Sequence, residues 1–150
     1  MMSVNVRMVD ITGKAESERL AVAEGKIRLR RETIEKIRRG EVPKGDVLAV
    51  AKTAAIMAVK KTWEIIPLCH PIPITFVDVN FDVMEEELRV RVEVKTTAKT
   101  GVEMEALTGA SVALLTVWDM VKSLEKDQEG QYPYTEINSI RVVEKVKRQL

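Results

Sequence analysis

Residues 74–95, ITFVDVNFDVMEEELRVRVEVK, contain two stretches in which apolar and polar side chains alternate. In residues 74–83 the valines and phenylalanine Phe81 fall on one face, while acidic and amide side chains fall on the other. Residues 88–95 repeat this period of two. The alternation predicts two β-strands, each with one face in a core and one face in water. The short link MEEE between them predicts an antiparallel hairpin.

The segment before this hairpin predicts a further strand and two helices. Residues 19–29, RLAVAEGKIRL, place apolar side chains on one alternating face and predict a strand. Residues 31–40, RETIEKIRRG, predict a short helix that Thr33 caps and that ends at Gly40.

Asp46 is the expected N-cap of a second, alanine-rich helix, VLAVAKTAAIMAVKKTW. Prolines 67, 71 and 73 follow it and predict an extended loop, IPLCHPIP.

After the hairpin, residues 103–125 predict a long helix that is apolar on most of its circumference, so we expect it to be buried on more than one side. TEINSIRVVEKV predicts a closing strand. The order strand, helices, strand, strand, helix, strand is typical of the α+β ferredoxin-like (split βαβ) fold, an antiparallel sheet with helices packed on one face. We expect oligomerisation to cover the other face.

Composition narrows the class of protein. The 150 residues suit a single domain, 1–150, and a net charge of +1 from 24 basic and 23 acidic residues argues against a strongly basic nucleic-acid binder. One Cys and one His exclude an intrachain disulfide and a four-ligand zinc site within one chain. Residues 1–14 lack the apolar stretch of a signal peptide. The longest apolar stretch, residues 106–121, is too short for a membrane span and contains Asp119. We therefore expect a soluble cytoplasmic protein.

The long helix carries a narrow polar stripe, which holds its first candidate site. Asp119 and Lys122 are three residues apart and are neighbours on that stripe. They can tune each other's pKa as an acid–base pair, or they can form an ordinary surface ion pair, which the pattern by itself favours. The stripe as a whole consists of Glu105, Thr108, Thr116, Asp119, Lys122, Ser123 and Lys126.

Two further groups of side chains have both a structural and a chemical interpretation. Glu103 and Glu105 near the helix start can favour the helix dipole, or can act together if this stretch is extended. Cys69 and His70 are adjacent on an extended loop, so their side chains point apart and a nucleophilic dyad is not expected. Cys69 is expected to act as a small buried hydrophobe. His70 is equally consistent with a loop residue and with a residue that contacts phosphate or relays a proton.

Two cationic features remain. PKGD places Lys44 beside a helix start, a weak anion-binding pattern to which Lys14 and Arg19 could add charge. The basic run of residues 28–39 suggests RNA binding, but it has no aromatic residue to stack on bases and is interrupted by glutamates.

Three segments together resemble one family. They are MVDITGK (8–14), PKGDVLAVAKTAAIMAVKKTWEIIPLCHPI (43–72) and KTGVEMEALTGASVALLTVWDMVKS (99–123). In this order they resemble the molybdenum cofactor biosynthesis protein C (MoaC) family, the cyclic pyranopterin monophosphate synthases. The resemblance implies a lyase that converts 3′,8-cyclo-7,8-dihydroguanosine 5′-triphosphate to cyclic pyranopterin monophosphate and diphosphate.

The same resemblance implies residue roles. Lys44, Lys122 and Asp119 would be catalytic, and the substrate would be bound by Cys69, His70, Glu103, Met104, Glu105 and Arg19. The implied assembly is a homo-hexamer, a trimer of dimers, with sites between subunits. No dedicated metal-ligand cluster is visible, although Mg²⁺ could accompany the triphosphate.

The chain departs from the family's Gly-rich carboxyl-terminal tail, which leaves open whether Lys145 or Lys147 replaces the tail lysine. Two other hypotheses remain. One is a noncatalytic nucleotide- or RNA-binding module on the same scaffold, and the other is a scaffold that binds no small anion.

Overall fold

The computed structural model describes residues 4–150. The expectation that residues 1–14 lack a signal peptide therefore falls in part on residues 1–3, which lie outside the described residues. Four strands and four helices follow in the predicted order. They are β1 (Ser17–Arg28), α1 (Arg31–Arg39), α2 (Val47–Lys60), α3 (Thr62–Ile65), β2 (Phe76–Val83), β3 (Glu87–Ala98), α4 (Glu103–Glu125) and β4 (Glu136–Gln149). The second predicted helix is thus shorter than expected, and α3 is a separate turn.

The four strands form one antiparallel sheet in the order β2-β3-β1-β4. β2 and β3 form the predicted hairpin, in which Val79 lies opposite Val92. β1 lies between β3 and β4, with Ala21 opposite Val94. Both central strands carry apolar side chains at alternate positions, so a single face of the sheet is available for the helices. The fold is the predicted α+β, ferredoxin-like arrangement.

The core lies between this face and the helices. The alternating side chains of β3, from Leu88 to Val94, are almost completely inaccessible to solvent. α4 packs on the sheet, and α2 packs against α4 through small side chains such as Ala51 and Ala55. Among residues 4–150, α4 is the one helix whose length and composition would allow a membrane span, but 56% of its most apolar window is buried inside the fold.

The sheet face away from the helices carries many charged side chains, and the expectation that another copy of the chain covers it stays a prediction. Arg91 lies at its centre, 4.0 Å from a carboxylate oxygen of Glu24 and 3.9 Å from one of Glu144. Val22, which points to this face, is nevertheless fully buried.

Helix capping confirms two predictions and corrects one. The Asp46 carboxylate accepts a hydrogen bond from the backbone N–H of Ala49 (3.1 Å), which caps α2. Gly40 adopts the left-handed conformation (φ 67°) that ends α1. The prediction that Thr33 caps α1 is wrong, because the N-cap is Arg30 and Thr33 lies inside the helix. The buried hydroxyl of Thr33 donates to the carboxylate of Glu125 on α4.

Candidate active site

Three charged side chains meet beside the last turns of α4, and we call them the lysine triad: Lys44, Asp119 and Lys122. The ammonium of Lys44 lies 3.0 Å from one carboxylate oxygen of Asp119 and also donates to the Asp119 backbone oxygen at 3.0 Å. The ammonium of Lys122 lies 3.1 Å from the other carboxylate oxygen. Two ammonium groups are therefore held around one carboxylate.

Each member of the triad owes its place to a local feature of the sequence. Asp119 and Lys122 are neighbours through the i, i+3 spacing of α4. Lys44 lies in the turn between α1 and α2, where the backbone N–H of Gly45 donates to the carbonyl of Val42 (3.0 Å). The capping of α2 by Asp46 fixes the far side of this turn.

The two ammonium groups control the charge of Asp119. Hydrogen bonds from Lys44 and then from Lys122 hold the pKa of its carboxyl below the ordinary value. About half of each side chain is exposed in the single chain, 59% for Asp119 and 44% for Lys122. Lys44 thus joins the i, i+3 pair of Asp119 and Lys122, and the triad carries two positive charges and one negative charge.

A second group of candidates lines a pocket of about 360 Å³ at the start of α4, which we call the carboxylate pocket. Five predicted substrate-binding residues lie in its wall. The full lining is Val9, Ile11, Lys14, Leu68, Cys69, His70, Thr100, Gly101, Glu103, Met104 and Glu105.

The two carboxyl groups of the pocket differ in environment. α4 begins at Glu103, so the possibility of an extended stretch with both carboxylates on one face does not hold. Glu105 is buried at 4% exposure, and burial, together with the charge of Glu103, raises the pKa of its carboxyl. Burial and then the charge of Glu105 also raise the pKa of the Cys69 thiol. Glu105 therefore keeps a proton to higher pH than an exposed glutamate.

An amino-terminal segment closes one side of the pocket. A ring nitrogen of His70 lies 2.7 Å from the carbonyl oxygen of Val9, and Lys99 donates to the carbonyl of Thr12 (3.1 Å). Two hydrogen bonds from Thr12 lower the pKa of Asp10, with smaller effects from His70 and Lys99. Residue-by-residue reasoning missed this wall and the role of Lys99. The only signal in the sequence was that MVDITGK is one of the three resembling segments.

The carboxyl-terminal strand brings one more cation to the pocket. The ammonium of Lys145 lies 3.4 Å from a carboxylate oxygen of Glu103. Lys147 lies instead among Lys14, Glu16 and the last residues of the chain. Of the two lysines that could replace the family's tail lysine, Lys145 is the one at the carboxylate pocket.

Arg19 lies near the pocket but does not line it. Its guanidinium, buried on β1, donates to the carbonyl of Lys99 (3.3 Å), and its Nε has no hydrogen-bond partner among residues 4–150. Arg19 lines a neighbouring cavity of about 390 Å³ together with Lys95 and Arg148. A buried cation with an unpaired donor is suited to an anion.

The polar stripe of α4 is therefore not one surface. Glu105 and Thr108 are buried at its start, whereas Asp119 is exposed near its end. Fourteen residues separate Glu105 from Asp119, which corresponds to about 21 Å along a helix. Within one chain, the lysine triad and the carboxylate pocket therefore lie apart.

Two further features of the described residues concern metal ligands and the basic run. Residues 4–150 contain no group of three or more His, Cys, Asp or Glu side chains arranged to hold a metal ion. In the basic run of residues 28–39, Arg31 pairs with Glu85 and Glu86, and Arg38 pairs with Glu35. These ion pairs reduce the charge that the run offers to phosphates.

Comparison with known proteins gives a consistent result. The model of the MoaC family matches residues 8–147. A protein of Sulfurisphaera tokodaii is 64% identical over 94% of this chain and 93% of its own length. A protein of Pyrococcus furiosus is 60% identical over 96% of this chain and 92% of its own length. Both are named probable cyclic pyranopterin monophosphate synthase. A relative from Methanothermobacter thermautotrophicus is 60% identical over 97% of this chain and 91% of its own length. It is named probable cyclic pyranopterin monophosphate synthase accessory protein.

Among solved structures, the ferredoxin protease FusC in complex with Arabidopsis ferredoxin aligns with 75% of this chain and 11% of its own. The TM-score is 0.34 and the identity 10%, a likeness too weak to support any argument. The matched residues 8–147 include all three of the segments that resemble the family. On this basis the chain belongs to the MoaC family.

Proposed function

We propose that this chain is a lyase of molybdenum cofactor biosynthesis. It converts 3′,8-cyclo-7,8-dihydroguanosine 5′-triphosphate to cyclic pyranopterin monophosphate and diphosphate. The observation that carries this proposal is the lysine triad, in which Lys44 meets Asp119 across 75 residues of chain. Family membership and the names of the relatives, probable cyclic pyranopterin monophosphate synthase, support cyclic pyranopterin monophosphate as the product. The identity of the substrate is part of the proposal.

The lysine triad suits the phosphate half of the reaction. Forming a cyclic monophosphate with loss of diphosphate requires a substrate hydroxyl to attack the α-phosphorus while the bond to the β-phosphate oxygen breaks. The electron pair of that bond leaves with the diphosphate, so negative charge develops on the leaving group. Lys44 and Lys122 would neutralise that charge, and Asp119 would hold both ammonium groups in place.

The carboxylate pocket suits the proton transfers. The attacking hydroxyl must lose a proton, and opening and closing of the ring system requires further acid and base steps. Glu105 is the best-placed group for this work, because burial gives its carboxyl a raised pKa. His70 would position the amino-terminal wall through the carbonyl of Val9, and Arg19 would reach a phosphate.

In this proposal the lysine triad and the carboxylate pocket are two half-sites that act together across two copies of the chain. Because about 21 Å of helix separates them, we propose that the lysine triad of one copy faces the carboxylate pocket of its neighbour. The assembly would be a homo-hexamer, a trimer of dimers. The substrate-bound Mg²⁺ and the cytoplasmic location stay predictions.

The direct test is to incubate the purified protein with the cyclised nucleotide and to measure both products. We expect wild type to release diphosphate and cyclic pyranopterin monophosphate, and Lys44→Ala and Lys122→Ala to release neither. Lys52→Ala, which removes an exposed lysine of α2 outside the triad, is the matched control. Full activity in both triad variants would refute the assignment. Salt-sensitive RNA binding without turnover would favour the noncatalytic module instead.

Subunit complementation tests the shared site. We expect His70→Ala and Lys122→Ala proteins to be inactive alone and to regain activity when they are unfolded together and refolded as mixed oligomers. In a mixed pair, the Lys122→Ala copy supplies an intact carboxylate pocket and the His70→Ala copy supplies an intact lysine triad, so one interface between them is complete. If mixing restores nothing while each variant still assembles, both half-sites must be supplied by one chain.

A further inference from the structure

The buried carboxylate of Glu125 lies outside both half-sites, and no step proposed above uses it. It is fully inaccessible to solvent at the last residue of α4. Three groups donate hydrogen bonds to it: the backbone N–H of Arg30 at 3.1 Å, the hydroxyl of Thr135 at 2.7 Å, and the hydroxyl of Thr33. We call these four residues the Glu125 node.

The node takes over the capping of α1. The side chain of Arg30, the N-cap of α1, makes no capping hydrogen bond. Instead, the Glu125 carboxylate accepts hydrogen bonds from the backbone N–H of Arg30 and from the hydroxyl of Thr33. This resembles a capping box whose acceptor comes from another helix. A carboxylate at this end of α1 also favours the helix dipole. The guanidinium of Arg30 in turn donates to the backbone oxygen of Glu125 (3.2 Å).

The node joins the two elements that carry the lysine triad. On α4, Glu125 lies three residues beyond Lys122 and six residues beyond Asp119. The rise of the helix between Asp119 and Glu125 is therefore about 9 Å. On the other side, α1 leads into the turn that holds Lys44. That turn is bonded back to the helix, because the N–H of Glu41 donates to the carbonyl of Lys36 (2.9 Å).

α1 is also held by the buried side chain of Ile34, by Ile37 at the edge of the core, and by Arg38, which donates to the carbonyl of Val83 (2.9 Å). The node is the contact that bonds the first turn of α1 to the end of α4. A change at the node therefore displaces the start of α1 and, through the bonded turn, the ammonium of Lys44 relative to Asp119.

We propose that Glu125 is a positioning residue that sets the Lys44–Asp119 contact by fixing the start of α1 to the end of α4. This rests on the proposed function only for its effect on turnover. The effect on Lys44 itself is measurable without substrate.

The test uses Glu125→Gln, Thr33→Val and Thr33→Ser in the full-length protein. The first readout is acetylation of Lys44 by an amine-reactive ester, measured by mass spectrometry relative to the exposed Lys52 of α2. In Glu125→Gln and Thr33→Val we expect the acetylation rate of Lys44 to rise toward that of Lys52. In Thr33→Ser, which keeps the hydroxyl, we expect the acetylation rate of Lys44 to equal that of wild type.

The second readout is turnover. In Glu125→Gln and Thr33→Val we expect kcat and kcat/KM to fall together by up to about 100-fold, the loss that a displacement of about 1 Å can cause. Thr33→Ser should restore both. Val79→Ala, which opens the core at the distant strand β2, serves as a control for lost stability alone.

The outcomes separate the two proposals. If Glu125→Gln does not fold, Thr33→Val, which removes a single hydroxyl, decides the question. Wild-type acetylation of Lys44 and wild-type kcat in a folded but less stable Thr33→Val protein would overturn the positioning role, as would equal changes in Val79→Ala. If wild type itself turns over no substrate, the proposed function fails, while the acetylation of Lys44 still decides the role of Glu125.

Discussion

Gly109, in the middle of α4, allows α2 and the sheet to pack closely against this helix. A Cβ atom added at this position would lie 2.7 Å from Cγ2 of Val59, 3.2 Å from Cγ1 of Val92 and 3.5 Å from the carbonyl oxygen of Ala55. Ordinary carbon contacts are about 3.5–4.0 Å long. Val59 and Val92 are almost fully buried, and the χ1 angle of a helical valine is restricted, so the methyl group of Val59 cannot turn away.

Two effects of Gly109→Ala oppose each other. Alanine is favoured over glycine in a helix interior by about 0.8–1.0 kcal/mol. Overpacking a dense core costs about 1–3 kcal/mol. We therefore expect a net loss of about 1 kcal/mol, which corresponds to a fall in Tm of about 2–4 °C for a domain of this size.

The assay is urea denaturation followed by tryptophan fluorescence at fixed protein concentration, because assembly would make the midpoint concentration-dependent. Ser123→Ala, an exposed change on the same helix, is the control for helix propensity alone and should gain a few tenths of a kcal/mol.

The decisive variant is the double change Gly109→Ala/Val59→Ala, which removes the methyl group that clashes. We expect it to be more stable than the sum of the two single changes predicts, with a coupling of about 0.5–3 kcal/mol. A stabilised Gly109→Ala protein, or strictly additive effects in the double variant, would refute the close-packing argument.

Three further predictions concern a cap, a turn and a buried acid. Asp46→Ala leaves the N–H of Ala49 without its acceptor and should lower the free energy of unfolding by about 0.5–2 kcal/mol in the same urea assay. Gly40→Ala forces alanine into the left-handed conformation (φ 67°) and should cost about 1–2 kcal/mol; an unchanged midpoint would contradict this. Because burial raises the pKa of Glu105 above its ordinary 4.5, the contribution of this group to stability is complete below that pH and is lost as the pH rises through the raised pKa. Glu105→Gln should therefore flatten the decline in stability between acidic and neutral pH, and an identical pH profile in the variant would show that Glu105 is not responsible.

Local periodicity predicted most of the fold. The alternation in residues 74–95 placed both strands of the hairpin, and the predicted helix 103–125 coincides with α4. Asp46 and Gly40 were identified correctly because capping and left-handed turns depend on residue type at one position. Thr33 was assigned wrongly as a cap for a related reason. Its residue type suits a cap, but its hydroxyl bonds to a carboxylate 92 residues away.

In the candidate site, too, local features were predictable from the sequence, whereas contacts between distant residues were not. The spacing of Asp119 and Lys122 on one helix face was readable from the sequence, and so was the proximity of Cys69, His70 and the loop prolines. Residue spacing by itself left open whether Asp119 and Lys122 form a surface ion pair or an acid–base pair. The catalytic role proposed for them comes from the resemblance of three segments to one family.

Tertiary structure alone decided which distant side chains meet. It brought Lys44 to Asp119, Lys145 to Glu103, and Thr33 and Thr135 to Glu125. It also separated Glu105 from Asp119, which share one helical stripe but differ in burial and lie at opposite ends of α4. The physical reason is that helix and strand periods act over a few residues, whereas contacts across the chain depend on how sheet and helices pack. The sequence by itself therefore determined the elements and the family, and the packing determined how the lysine triad, the carboxylate pocket and the Glu125 node are assembled.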